Sequence, residues 1–405
     1  MFKKPRFSAF FPSLTRRPLV VFVVAAWYVT LAAAHYFNQR PMWNDEACVF
    51  ESIQYFNPLQ MFTAQLRAVQ VFPRVYLFLI QQFSGFFDFH LLSLRFFSFV
   101  AMLTAFWLWL KLARSFLKND PAYWTYLFSW AASVPLVYYA AELKPYSMDV
   151  LAGAIFMMFL YHEDGLRARD GRKYRFVLAA LPALGLFSYP AFLFAMIIFY
   201  NLIVTALKDR SRRTDLAIYA VSLAVFILIS YATDMRLRPV GAVTEGFGDY
   251  FISFQSPGEF FKTLGEGTNN LFSRWFGEKP KAVKKIAIVF ILFGFFNMFY
   301  AFFSNIKKEG YRVRSPKTAA FALFLGLAAL GMLKKYPFTV PRTSLFFCPF
   351  VLLLTIEAIT GLKKLNKYVF TFAHVLYIAF LAAVTVGIAG NVFSGDLGAV
   401  PVIWK

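Results

Sequence analysis

The segment PLVVFVVAAWYVTLAAAHYF (residues 18–37) runs directly into NQRPMWNDE (residues 38–46). The first segment contains no Asp, Glu, Lys or Arg. As a helix it would be about 30 Å long, enough to cross the hydrocarbon core of a bilayer. The second segment places Asp45 and Glu46 where the chain leaves the bilayer. The fold therefore begins with a transmembrane helix that ends in two adjacent carboxylates.

Composition extends this reading to the whole chain. Of its 405 residues, 59% are hydrophobic, 20% are aromatic and only 16% are charged, whereas about a quarter of a soluble domain is charged. Apolar runs of nearly twenty residues recur from end to end, so we expect an all-α polytopic membrane protein. The net charge of +21 is divided among short basic clusters between the apolar runs. That distribution follows the positive-inside rule and excludes nucleic acid as a partner.

Residues 72–90 decide the topology. They are apolar enough to span, but Arg74, Gln81 and Asp88 are spaced to share one helical face. If 72–90 is an interfacial helix, every large basic cluster falls on the cytoplasmic side. We therefore predict an interfacial helix here and about eleven spans in all. The spans are near 18–37, 92–112, 122–141, 146–161, 176–188, 190–207, 215–232, 285–304, 318–333, 343–361 and 369–389.

Four regions follow from this topology. Residues 1–17 form a basic cytoplasmic leader, and 18–232 form a transmembrane module whose outer loop, 38–91, carries interfacial helices. Residues 233–284 form a long outer loop, and 285–405 contain the C-terminal transmembrane helices and a short outer tail. A connection well beyond about 15 residues indicates a lid or a linker.

The acidic pair has two interpretations. Neighbouring carboxylates disfavour each other's ionisation, which suits a general base or a cation site. Alternatively, Asn44 caps a helix and Asp45 and Glu46 complement its dipole. The four histidines lack metal-ligand spacing. Whether Cys48 and Cys348 pair stays open.

Several cations are expected on the same outer face, among them Arg95, Lys144 and Arg342. Singly, each could be an anchor that reaches lipid headgroups. Together, cations opposite a carboxylate pair suit a reaction with a phosphate at one end and a hydroxyl at the other. The middles of the predicted spans hold almost no ionisable residues, which disfavours a proton-coupled transporter.

Four motifs together resemble the C superfamily of membrane glycosyltransferases (GT-C), in particular its protein-mannosyltransferase-like and aminoarabinose-transferase-like bacterial branch. They are RPMWNDEA (40–47), FPRVYL (72–77) followed by Gly85 and Arg95, YYAAELKPYS (138–147), and VPR (340–342) before Pro349. In the third motif, Ala141 stands where the family has Gln and Lys144 where it has Arg. The match is good over about 18–200 and loose beyond.

The resemblance implies a sugar donor linked to polyprenyl phosphate and an active site on the extracytoplasmic side of a bacterial inner (plasma) membrane. The acceptor is a hydroxyl, with a lipid or surface glycan favoured over a protein, and the enzyme is expected to act as a monomer among membrane lipids. Which sugar is transferred stays open. A polyprenyl-linked glycan ligase and a lipid-linked sugar flippase or transporter are the alternatives.

The resemblance also assigns roles to residues. Asp45 is the expected catalytic base, and Glu46 orients it or the acceptor. The donor phosphate is expected to bind Lys144, Arg342 and Arg95. The residues expected to position the site are Glu142, Tyr146 and Trp43. A divalent cation at Asp45 stays open. A phosphate leaving group needs cations rather than a general acid, and a carboxylate opposite it supports an inverting displacement.

Overall fold

The computed structural model describes residues 18–238, 241, 248–276, 281–338 and 342–395. Its secondary structure there is entirely α- and 3-10-helical, without a strand. The leader 1–17, parts of the loop 233–284, most of the outer tail and Val340-Pro341 of the fourth motif lie outside the described residues.

Sixteen α-helices, numbered in chain order, make up the described part of the chain. They are α1 Pro18–Phe37, α2 Asn44–Tyr55, α3 Gln60–Thr63, α4 Arg74–Gly85, α5 Leu91–Phe116, α6 Asp120–Ala131, α7 Val134–Tyr138, α8 Tyr146–Arg169, α9 Gly171–Ala180, α10 Ala191–Lys208, α11 Arg213–Thr233, α12 Pro257–Ser273, α13 Lys281–Asn305, α14 Pro316–Met332, α15 Cys348–Gly361 and α16 Lys367–Phe393.

Six helical segments of the described chain are long and apolar enough to cross a bilayer. They are Leu19–Phe37, Leu91–Phe116, Ala191–Lys208, Arg210–Leu237, Leu345–Lys364 and Lys367–Phe393. A seventh is Val134–Ala141 with Tyr146–Arg169, a pair bent by 114° at a short break. The all-α polytopic class is thereby confirmed. The count of eleven stays a prediction, although each of the eleven proposed spans contains helix.

Two proposed spans are interrupted, and proline accounts for both. The segment 122–141 breaks between α6 and α7, because Pro135 removes the hydrogen bond to Ala131, the last residue of α6. The segment 176–188 passes from α9 into a 3-10 helix, Leu181–Leu186, that has Pro182 in its first turn. Neither is the continuous α-helix that the hydrophobic pattern predicted.

Helix α4 is the element that the sequence placed in the outer interface. Its 12 residues span only about 18 Å, too short to cross a bilayer. Arg74 and Gln81 are buried and donate to backbone carbonyls of 53–64, which joins α4 to α2 and α3. Asp88 lies beyond the helix end, exposed and with φ at 49°, so it does not share their face as predicted.

The long helix α8 relates the two ends of the molecule. Its 24 residues correspond to about 36 Å, and it packs along α5. Farther along the chain, α13 packs along α15, and α1 packs against α6. Before α8 stands the break 142–145, and its last turns carry Asp164 and Arg167. These two ends hold the two charged clusters of the fold.

Candidate functional site

Helix α2 presents the acidic pair in its first turn. It begins at Asn44, directly after Trp43, so Asp45 and Glu46 complement the positive end of its dipole. The residue before the helix is Trp43, which makes no side-chain cap, so Asn44 does not cap the helix. The two carboxylates then have different partners.

Glu46 is the centre of a buried charge cluster. Its Oε2 accepts from Arg40 Nη1 at 2.7 Å and from Arg95 Nη2 at 2.8 Å, while Oε1 accepts from Arg95 Nε at 2.9 Å. The backbone N–H of Leu143 donates to Oε1 at 2.8 Å. Because a buried charge requires paired and hydrogen-bonded surroundings, Glu46 joins the first outer loop to α5 and to the break 142–145.

Asp45 faces the partly exposed side of the same region. Its Oδ2 accepts from Arg342 Nη1 at 2.9 Å and lies 3.3 Å from Lys144 Nζ. The side chain of Asp45 is 20% exposed, whereas that of Lys144 is 5% exposed. Lys144 also donates to Gln70 Oε1 at 2.7 Å. One oxygen of this partly exposed carboxylate is therefore shared by two cations from distant parts of the chain.

The charges of this cluster shift one another's pKa. Burial alone would raise the pKa of Asp45, but the positive charges of Lys144 and Arg342 outweigh burial and lower it. Burial lowers the pKa of Lys144, with Asp45 opposing the shift. The pKa of Arg342 is raised, because Tyr146 and Asp45 outweigh desolvation of the guanidinium. Asp45 is thus an ionised carboxylate at neutral pH.

Glu142 lies buried behind this cluster and supports it through Trp43. Trp43 Nε1 donates to Glu142 Oε1 at 3.0 Å, and the Arg342 guanidinium stands 5.7 Å from the centre of the Trp43 ring. Glu142 Oε2 has no hydrogen-bond partner within the described ranges. Burial and the nearby Glu46 raise the pKa of Glu142 to about 8. The raised pKa favours the neutral carboxylic acid of Glu142 near pH 7.

Tyr146 opens α8 at the edge of the cluster. Its ring packs edge-on against Tyr139, with centroids 5.1 Å apart. Its hydroxyl lies within electrostatic range of both Arg342 and Asp45. These contacts place Tyr146, Glu142 and Trp43 beside the cluster, and their positioning role stays a prediction.

Arg95 needs a correction. The sequence predicted that it holds a phosphate, but its side chain is fully buried and forms two bonds to Glu46 and a third to the carbonyl of Arg40. A phosphate at Arg95 would have to displace Glu46 from the protein interior. Glu46 likewise bonds Arg40 and Arg95 rather than Asp45, so it does not orient Asp45 directly.

Two residues near the cluster were missed in the sequence. Arg40 binds Glu46 and stacks over Tyr138, with 4.7 Å to the ring centre. Gln70 holds Lys144. Arg40 could have been predicted from its position near Asp45 and Glu46 in the sequence, since a buried glutamate requires a cation. Nothing in the sequence around Gln70 marks it as a partner of a lysine 74 positions away.

The carboxylates around Asp45 and Glu46 do not form a metal-binding site. Within the described ranges, no group of three or more His, Cys, Asp or Glu could hold an ion. Asp45 presents its Oδ2 to Lys144 and Arg342, so a divalent cation there would compete with two positive charges. Cys48 and Cys348 are free thiols, which answers the question of their pairing.

The fold is similar to that of ArnT from Cupriavidus metallidurans, whose crystal structure was determined bound to undecaprenyl phosphate. The TM-score is 0.50 at 13% sequence identity, covering 96% of this chain and 75% of the ArnT chain. No protein-family model and no curated protein sequence matches the chain. At this identity the likeness shows a shared membrane-protein fold and no more.

Proposed function

We propose that the protein is a glycosyltransferase that moves a sugar from a polyprenyl-phosphate donor to a hydroxyl acceptor on the extracytoplasmic side of a bacterial inner membrane. The observation that carries the proposal is the position of Asp45, whose Oδ2 is shared by Arg342 and Lys144 at an accessible edge. The fold likeness to ArnT, solved with undecaprenyl phosphate, supports the choice of donor.

The two cations that hold Asp45 are the donor-phosphate site of this proposal. Arg342 offers a planar fork that suits phosphate oxygens, and Lys144 adds a point charge. A phosphate that binds both cations takes the place of the Asp45 carboxylate. The donor thus releases Asp45 from its ion pairs when it binds.

The released Asp45 then serves as the base. The acceptor hydroxyl oxygen attacks the anomeric carbon, and its proton passes to an Asp45 carboxylate oxygen. The bond from the anomeric carbon to the phosphate oxygen breaks, and the polyprenyl phosphate leaves with the bonding electrons. Its second pKa is about 6, so it needs no general acid. Arg342 and Lys144 stabilise the negative charge that develops there, and one displacement inverts the anomeric centre.

Three buried residues have a structural role in this scheme and do not touch the substrate: Glu46, Arg40 and Arg95. Their buried bonds fix the first turn of α2 and the break 142–145 against each other. That relation sets the distance between Asp45 and Lys144. Positioning of reacting groups contributes substantially to catalysis, so these residues matter without touching substrate.

A comparison of cells with and without the gene tests the proposed function. Mass spectrometry of membrane lipids and surface glycans should show one glycan that loses a single sugar in the deletion strain, with its polyprenyl-phosphate donor accumulating. Restoring the wild-type gene should restore the sugar, while Asp45→Asn should not. Identical glycans in both strains would contradict the proposal. Accumulation of the donor on the cytoplasmic side alone would favour a flippase instead.

A further inference from the structure

A second charged cluster lies at the opposite end of α8, near Arg169 rather than Tyr146. It encloses a cavity of about 550 Å³. Six charged residues line the cavity: Arg167, Arg175, Arg212, Arg312, Asp164 and Asp215. By the predicted topology this end faces the cytoplasm, so it is separate from the Asp45 site.

The four arginines that line the cavity come from four separate segments and share three carboxylates. Arg167 Nε and Arg175 Nε each lie 3.1 Å from a different oxygen of Asp215, which is fully buried. Arg212 lies 3.6 Å from the buried Glu163 and 3.4 Å from Asp164, and Arg312 binds the same two carboxylates. The fold thus holds the four guanidinium groups close together around three carboxylates, those of Glu163, Asp164 and Asp215.

The charge of this ion-paired cluster is unbalanced. It contains five arginines, because Arg314 also binds Asp164, and three carboxylates, which leaves two positive charges in excess. The side chains of Arg167 and Arg175 are 27% and 49% exposed, so both are accessible while their Nε atoms stay on Asp215. Pairing with these carboxylates does not account for an excess of like charge around an open cavity.

We propose that this cavity binds a phosphate group, carried by a soluble phosphate ester or by an inner-leaflet lipid headgroup. A phosphate monoester carries a charge of about −1.5 to −2 at pH 7, which matches the positive excess of the ion-paired cluster. Arginine forks bind phosphate oxygens in pairs, so several such forks around one cavity suit this anion better than a carboxylate. The inference does not depend on the proposed glycosyl transfer.

The test uses the full chain in detergent and in phosphatidylcholine nanodiscs. Inorganic phosphate and glycerol 3-phosphate are titrated as soluble probes, and phosphatidic acid is the lipid probe, followed by native mass spectrometry. Arg175→Gln should weaken binding about tenfold or more, because a charge-assisted hydrogen bond is lost. Arg172→Gln is the matched control, since Arg172 is exposed on the same helix and does not line the cavity. It should change affinity by less than about twofold.

A second variant separates the proposal from misfolding. Arg175→Lys keeps the charge but loses the fork, so its affinity should lie between those of wild type and Arg175→Gln. Saturable binding of soluble probes assigns a free phosphate ester, and binding of phosphatidic acid alone assigns a headgroup. Absence of saturable binding to any probe overturns the proposal. Equal weakening in Arg172→Gln and Arg175→Gln also overturns it, because it shows general surface charge rather than a site.

Discussion

Arg342 binds Asp45 across 297 positions of sequence, with 2.9 Å between Nη1 and Oδ2. The contact brings the proposed phosphate-binding arginine onto the proposed catalytic base. Lys144 lies 3.3 Å from the same oxygen. The donor phosphate and the Asp45 carboxylate would therefore compete for the same two cations, and the predictions for this site follow from that competition.

Turnover should depend on the guanidinium group of Arg342 and not only on its positive charge. Arg342→Ala should abolish most turnover and lower donor affinity, and Arg342→Lys should recover only a minor part, because lysine lacks the planar fork. Lys144→Ala should act in the same direction but more weakly. Affinity is measured with a synthetic polyprenyl-phosphate sugar in nanodiscs. Lys335→Ala is the control, since Lys335 is an exposed cation in the segment before Arg342. Wild-type affinity and turnover in Arg342→Ala would remove this residue from the site.

Asp45→Asn should bind the donor more tightly than wild type does. The variant removes the carboxylate that competes for Arg342 and Lys144, and the gain should be about tenfold, as for one charge-assisted hydrogen bond. The donor phosphodiester keeps one negative charge near neutral pH, so protonation of the ligand does not interfere. Asp88→Asn, at an exposed carboxylate of the same outer loop, should leave affinity unchanged. Weaker donor binding in Asp45→Asn would show that Asp45 does not occupy the phosphate position.

Glu142 should give donor binding a pH dependence. The pKa of this carboxyl is raised to about 8, so it is neutral below that pH and ionised above it. Ionisation adds a negative charge beside Lys144 and Arg342, so donor affinity should fall as pH rises through about 8. In Glu142→Gln, affinity should stay level between pH 7 and 9. Equal alkaline loss in both proteins would assign the effect to another group.

Glu46 should matter for stability, in contrast to its neighbour Asp45. Glu46→Gln leaves two buried arginines short of a counter-charge, and removing one partner of such a cluster costs about 3–5 kcal/mol. Glu51→Gln is the matched control on the same helix, because its ion pair with Arg67 is half exposed and contributes little. Thermal unfolding in detergent should show a large loss for the first variant and almost none for the second. Similar unfolding temperatures for both would contradict the structural role of Glu46.

Much of the fold could be predicted from local sequence signals. Apolar runs predicted the helices. Basic clusters predicted that residues 72–90 do not span, and α4, with 12 residues, is too short to do so. The interruptions at Pro135 and Pro182 were missed, because hydropathy averages over a window and does not register a single lost backbone donor.

The sequence predicted which residues form the candidate site, but not which of them pair with one another. Asp45, Lys144 and Arg342 converge as expected. Arg95 carries the same charge as Arg342, yet it is buried against Glu46, and Arg342 reaches the partly exposed Asp45. Charge and approximate membrane depth do not distinguish these two arginines. The two arginines are distinguished only by the packing of α5 against the first outer loop, and a local sequence motif does not reveal that packing.

The most direct measurement is sugar transfer by the purified protein in nanodiscs. Wild-type protein with a polyprenyl-phosphate sugar and an acceptor lipid should release polyprenyl phosphate, detected by mass spectrometry. Asp45→Asn should lower that rate by about a hundredfold or more, because a base acts in the transition state, while still binding the donor. Retention of near-normal release in Asp45→Asn would contradict the account and return Asp45 to the role of a first-turn carboxylate that complements the dipole of α2.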